Sequence, residues 1–149
     1  MTKKFFIINL FLFSFFFTNS YSDNSTYMSL KNNKVNVRYG PGLDYPIKFV
    51  FNKKNYPVEI IDQKENFRKI LDFKKNSGWI HISQLKKVNS FITLDSVILF
   101  SDSTKFSRPI AKIEIGRLLN KKKCNLNWCK VETGKYKGWV LKENLWGLN

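Results

Sequence analysis

Two cysteines, one histidine and a short arginine–tyrosine loop are the residues in this 149-residue sequence best suited to chemistry. Cys124 and Cys129 stand as CNLNWC. A cysteine nucleophile needs a free thiol beside a base such as histidine, and the single histidine, His81, lies far upstream of both thiols. A structural zinc site needs four ligands at characteristic spacing, and there is no second Cys pair. In an oxidising compartment, two thiols flanking a short turn pair across a β-hairpin. Closing so short a loop stabilises by about 2 kcal/mol in the chain-entropy model. We therefore expect a Cys124–Cys129 disulfide, no metal and no cofactor. The motifs G-x-S-x-G and H-E-x-x-H and Gly-rich phosphate loops are absent. The 11 acidic residues are scattered, with no suggestive pair for glycoside hydrolysis. No catalytic residue is assigned, and the protein is expected not to be an enzyme.

Binding chemistry is more visible in VNVRYGPGLDYP, which opens at Val35. If Val35 and Val37 point inward on a strand, Asn36 and Arg38 face the other side. Arg38 is then a cation facing a ligand or a brace for the loop, bonded to a carboxylate such as Asp44, Glu59 or Asp62; the bracing role is preferred. Gly40-Pro41-Gly42-Leu43 suits a type II turn, with positive φ at Gly42. Tyr39 and Tyr45, among turn residues, are candidates for exposed aromatics lining a shallow groove. His81 should point away from Ile80 and Ile82, alongside Trp79. Trp79 and Trp139 are read as core residues, and the glycine before each implies a close backbone approach or a bulge. The run Lys121-Lys122-Lys123 reads as a solvated strand or turn edge.

The elements that position these residues are short apolar runs separated by turn signals: KVNVRY, IKFVF, PVEII, FRKILDF and WIHI, divided by GPG, NKKN and KKNSG. Alternation of period two marks strands, and no long stretch has a helical period. The pattern is all-β. It also repeats. Gly78-Trp79-Ile80 with Leu85 returns as Gly138-Trp139-Val140 with Leu145, preceded by Phe67-x-x-Ile70 and Trp128-x-x-Val131. Pro46-Ile47 and Pro109-Ile110 hold similar places further upstream. We divide the chain into a flexible polar arm (23–33), a first unit (34–88) and a second (89–149). Domains this small bury only about 60% of their unfolded surface, so packing the copies together and the disulfide would both help.

Residues 1–22 have the anatomy of a secretory signal peptide. Lys3 and Lys4 precede an apolar run over 5–17, and Ser20-Tyr21-Ser22 supplies a small-x-small site, with cleavage expected near Ser22. As a helix the apolar run spans about 20 Å, short of the roughly 30 Å of bilayer hydrocarbon. No membrane span is expected after cleavage, and the protein is placed in the periplasm or outside the cell. Removing Lys3 and Lys4 takes two charges from the formal +15, leaving +13 on the folded part. An exported cation of this kind meets anionic lipid or acidic wall polymer rather than nucleic acid. The abundance of Lys, Asn, Phe and Ile together also fits a biased codon usage.

The segment 36–42 (NVRYGPG) followed by Gly78-Trp79-Ile80 resembles the bacterial SH3-like (SH3b) domains of exported proteins, and the likeness to their tandem subset covers nearly the whole chain after the leader. It implies two tandem small SH3-like β-barrels. The second copy has ILFSDS where the first has NVRYGP, so loop function is expected in the first copy only. Phe67 stands where the family more often has Trp. For function, the resemblance implies a non-enzymatic module of the cell envelope that binds peptidoglycan or an extended peptide. Its ligand groove would involve Arg38, Tyr39, Gly40, Pro41, Tyr45 and His81. The alternatives are an adaptor docking on another envelope protein and, behind it, a wall hydrolase with a cryptic site.

Overall fold

The computed structural model describes residues 26–148; the expected leader and its cleavage point lie outside them. The first seven strands are β1 (Thr26–Leu30), β2 (Val35–Arg38), β3 (Ile47–Phe51), β4 (Pro57–Lys64), β5 (Phe67–Leu71), β6 (Ser77–His81) and β7 (Leu85–Lys87). The next seven are β8 (Ser90–Thr93), β9 (Val97–Phe100), β10 (Pro109–Ile113), β11 (Leu118–Cys124), β12 (Trp128–Thr133), β13 (Tyr136–Leu141) and β14 (Leu145–Trp146). They form two antiparallel sheets, ordered β3-β2-β6-β5-β4-β1-β7 and β10-β9-β13-β12-β11-β8-β14. The second order is the first with each number raised by seven, so the duplicated sequence builds one topology twice. A short 3-10 turn follows β6 and another follows β13.

Each sheet curls around its own core. In the first, Val35 and Val37 of β2 meet Leu30, Val58, Ile70, Ile80 and Leu85, so strands from distant positions in the sheet share one interior. The second encloses Phe91, Val97, Leu99, Leu119, Cys129, Val131 and Val140. Alternation explains the assignments: β2 and β9 both read buried, exposed, buried, half-buried. Among the described residues no helix is long and apolar enough to cross a membrane.

Three expectations are corrected. Residues 26–30 of the expected arm are strand β1, lying between β4 and β7 with Ser29 and Leu30 fully buried. The sheet needs this strand to pair β4 on one side and β7 on the other. The repeat is also displaced by one residue from the Pro-Ile match, because Arg38 pairs with Ile47 whereas Phe100 pairs with Pro109. Strand register, which fixes the face of every side chain, makes Ile47 the counterpart of Pro109. Third, Trp79 is only half-buried, whereas Trp139 is buried as expected, although on the outer face of its sheet. The glycine before each is the inward residue. A Cβ on Gly78 would lie 2.4 Å from Val37, and one on Gly138 would lie 2.5 Å from the Phe100 carbonyl. Alternation then turns the indoles to the outer face, where Trp79 is half-buried and Trp139 is covered, with Lys123 and Lys130 at 5.5 and 5.9 Å from its ring centre.

The units touch directly. Ser29 and Ser90 are buried with their hydroxyls 3.1 Å apart, Ser90 donates to the Asn55 carbonyl, and Asn55 Nδ2 donates to Asn120 Oδ1 at 3.1 Å. Tyr27 meets Trp146 edge-on at 5.1 Å. Gly147, at φ 104°, brings the last residues against Pro57, 3.2 Å from where its Cβ would stand.

Candidate ligand groove

The outer face of β2 and the end of β6 open onto a groove of about 480 Å³, lined by Lys34, Asn36, Arg38, Phe67, His81 and Gln84 among others. The strand pattern that buries Val35 and Val37 sends Asn36 and Arg38 to this side. Phe67, the first residue of β5, pairs with His81 across the strands, and their rings meet edge to face at 5.2 Å. Ser83 and Gln84 come from the 3-10 turn after β6. That turn fixes the imidazole: His81 Nδ1 lies 2.7 Å from Ser83 Oγ and accepts from the Ser83 amide at 3.3 Å. With Nδ1 accepting from the Ser83 amide, the proton of the neutral ring is on Nε2. Gln84 Oε1 accepts from Asn32 Nδ2 at 2.8 Å. Two cations and no carboxylate line the groove.

Of the sequence candidates, Arg38 and His81 come together in this groove, and Tyr39, Gly40, Pro41 and Tyr45 do not line it. They form the loop above it. Arg38 Nη1 donates to the Tyr45 carbonyl at 2.7 Å, so the arginine braces the loop through a backbone oxygen instead of a carboxylate. Tyr39 is 63% exposed, with the Lys48 ammonium 5.7 Å from its ring centre, and Tyr45 is 43% exposed.

The expected type II turn is absent. Neither Gly40 nor Gly42 has positive φ, and the Gly42 amide donates to the Gly40 carbonyl at 3.0 Å, a tighter closure around Pro41. Both glycines are required for space: Cβ atoms would stand 2.2 Å from the Tyr45 ring at Gly40 and 2.3 Å from Asp44 Oδ1 at Gly42. Sequence reasoning placed Asn36 beside Arg38, but it did not place Lys34, Ser83 and Gln84. Only the fold carries the turn after β6 back toward β2.

The second unit has a smaller cavity of about 250 Å³ at the same place, lined by Ile98, Phe100 and Leu141 together with Ser96, Lys105 and Glu143. Pairing makes these the counterparts of Asn36, Arg38 and His81: Phe100 pairs with Trp139 as Arg38 does with Trp79, and Leu141 pairs with Trp128 as His81 does with Phe67. The duplicate has replaced the guanidinium and the imidazole with hydrocarbon.

The disulfide is present, joining the directly paired Cys124 and Cys129 at the end of the β11–β12 hairpin. Asn125 closes that hairpin, its Oδ1 accepting from the Trp128 amide at 2.8 Å and its amide donating to the Trp128 carbonyl at 2.9 Å. Lys122 pairs with Glu132, and that contact holds the exposed carboxyl below its usual range. Such a surface pair contributes little to stability.

Two curled sheets of one topology, with a polar groove on the first, define a tandem small-barrel protein. The family described as "Bacterial SH3 domain" matches residues 31–87 and 95–147, and the chain belongs to that family. No curated protein matches it. Solved structures similar to parts of it include NlpC2 from Trichomonas vaginalis, at 15% identity and TM-score 0.38, covering 82% of this chain and 48% of that one. NlpC1 from the same organism is similar at 15% identity and TM-score 0.38, covering 85% and 47%. This chain thus spans about half the length of each, and a likeness this loose carries no argument about activity.

Proposed function

We propose that this is an exported binding module of the cell envelope, periplasmic or secreted, that holds peptidoglycan or an extended peptide in the groove of its first barrel and breaks no bond. The observation that carries this reading is the contrast between the copies. One groove keeps Lys34, Arg38 and the oriented His81 without any lining carboxylate, and its duplicate is smaller, has Phe100 and Leu141 where the first has Arg38 and His81, and is lined by Glu143. Such a groove favours an extended ligand that carries carboxylates, as wall stem peptides do. Charge-assisted bonds from Arg38 would supply orientation, Phe67 an apolar wall, and Tyr39 and Tyr45 a rim.

Retention of the purified protein on isolated sacculi tests it, at low and at moderate salt. Binding is expected at low salt and should weaken as salt rises. Arg38→Ala should lower retention about tenfold, in line with loss of a charged hydrogen bond. Sacculi that retain nothing at either salt, or release soluble fragments on incubation, would refute the reading. The mass of the protein recovered from cells, with and without reductant, checks export and the disulfide together.

A further inference from the structure

The second barrel carries a different surface. Phe106, in the loop between β9 and β10, is 100% exposed, and Leu126, at the tip of the β11–β12 hairpin, is 86% exposed. Both line one shallow cavity of about 500 Å³, together with Lys105, Lys142, Trp128 and Glu143. Two large apolar side chains therefore project from separate loops at the same end of the barrel. The first barrel shows what stands there in the other copy. The β9–β10 loop closes through the Ser101 amide on the Arg108 carbonyl at 2.9 Å, as the first copy closes through the Tyr39 amide on the Pro46 carbonyl at 3.1 Å. This match sets Phe106 at the place of Asp44. In the hairpins Trp128 pairs with Leu141 as Phe67 pairs with His81, which sets Leu126 at the place of Glu65. Two acids in one copy are two hydrocarbons in the other.

The surroundings are cationic. Lys105 and Lys142 stand in the cavity itself. On the adjoining outer face of the sheet, Lys123 and Lys130 are directly paired and share the ring of Trp139. The nearby acids are Glu143 in the cavity and Asp102, whose carboxylate accepts from the Ser103 amide at 2.7 Å. We infer that this end of the second barrel docks on an anionic phospholipid surface, Phe106 and Leu126 entering the headgroup boundary and the lysines meeting lipid phosphates. Projecting apolar tips in a lysine setting match the two terms of interfacial membrane binding, buried hydrocarbon and attraction to anionic lipid. The disulfide and the Asn125 bonds hold the Leu126 tip ready for insertion.

Sedimentation of the purified protein with vesicles of phosphatidylglycerol and phosphatidylcholine, against pure phosphatidylcholine, tests the inference. Binding is expected to the anionic vesicles only. Phe106→Ser/Leu126→Ser, measured in the same background, should lower it about tenfold, and Lys105→Glu/Lys142→Glu should lower it and flatten its salt dependence. Lys105, Phe106 and Leu126 are exposed and Lys142 is half-buried, and circular dichroism would verify folding. Failure to bind anionic vesicles, equal binding to neutral ones, or unchanged binding by the Phe106/Leu126 variant would each overturn the proposal. So would a finding that the same variant converts a dimer to a monomer, which would assign the tips to a second copy. Sacculus retention by this variant should be unchanged, which separates the two surfaces.

Discussion

At the scale of single residues, Arg38 shows how one side chain can stabilise a loop and still line a groove. Its guanidinium has five donors in a planar fork, and one of them suffices to hold the Tyr45 carbonyl. Gly40 depends on the same loop. Gly40→Ala introduces no disallowed φ, yet its methyl would press on the Tyr45 ring. We expect a loss of about 1–2 kcal/mol in denaturant unfolding, largely recovered when Tyr45→Ser is added. Tyr56 offers a pH signature. Burial, and secondarily the charge of Asp72, push its phenol up from 10.0 to about 12. The folded form therefore keeps a proton that the unfolded chain loses near pH 10, so stability should fall as pH rises from about 10 to about 12. Tyr56→Phe should remove that part of the decline in denaturation curves taken across the range.

At the scale of elements, the alternating strands were legible because half-buried sheets write their faces into the sequence with period two. Val35/Val37 and the Gly-Trp-[Ile/Val] frames are instances. Strand β1 was not legible, since TYMSL sits among serines and asparagines and its burial comes from β4 and β7, which the local sequence does not announce. The groove was half legible for the same reason: alternation gives Asn36 and Arg38, but the contribution of the turn after β6 depends on tertiary closure. The β11–β12 hairpin and its bridge were legible in CNLNWC, since two thiols flank a short turn there. Replacing both cysteines with serine should cost about 2 kcal/mol, measured by denaturant unfolding with the strand content unchanged in circular dichroism.

At the scale of the molecule, the two units meet through Tyr27 and Phe73 on Trp146, through Pro57 near Gly147, and through the buried Ser29–Ser90 contact. Domains this small are marginal alone, so the junction should make unfolding cooperative across both. Trp146→Ala is expected to cost about 2 kcal/mol and to split a single thermal transition into two, as followed by calorimetry. A wild-type trace that already shows two transitions would remove this role for the junction.

The connection at that junction is short: β7 ends at Lys87 and β8 begins at Ser90, with Val88 between them buried. Such a tether has almost no slack to lose when both ends of the molecule are engaged, whereas a flexible spacer spreads its partners over a volume that grows with its length. Capture at one barrel would therefore present the other to its target at high local concentration. If both proposed surfaces are engaged, the same shortness means that only targets lying at the matching separation can be held at once, which would make the protein a gauge of distance between two surfaces.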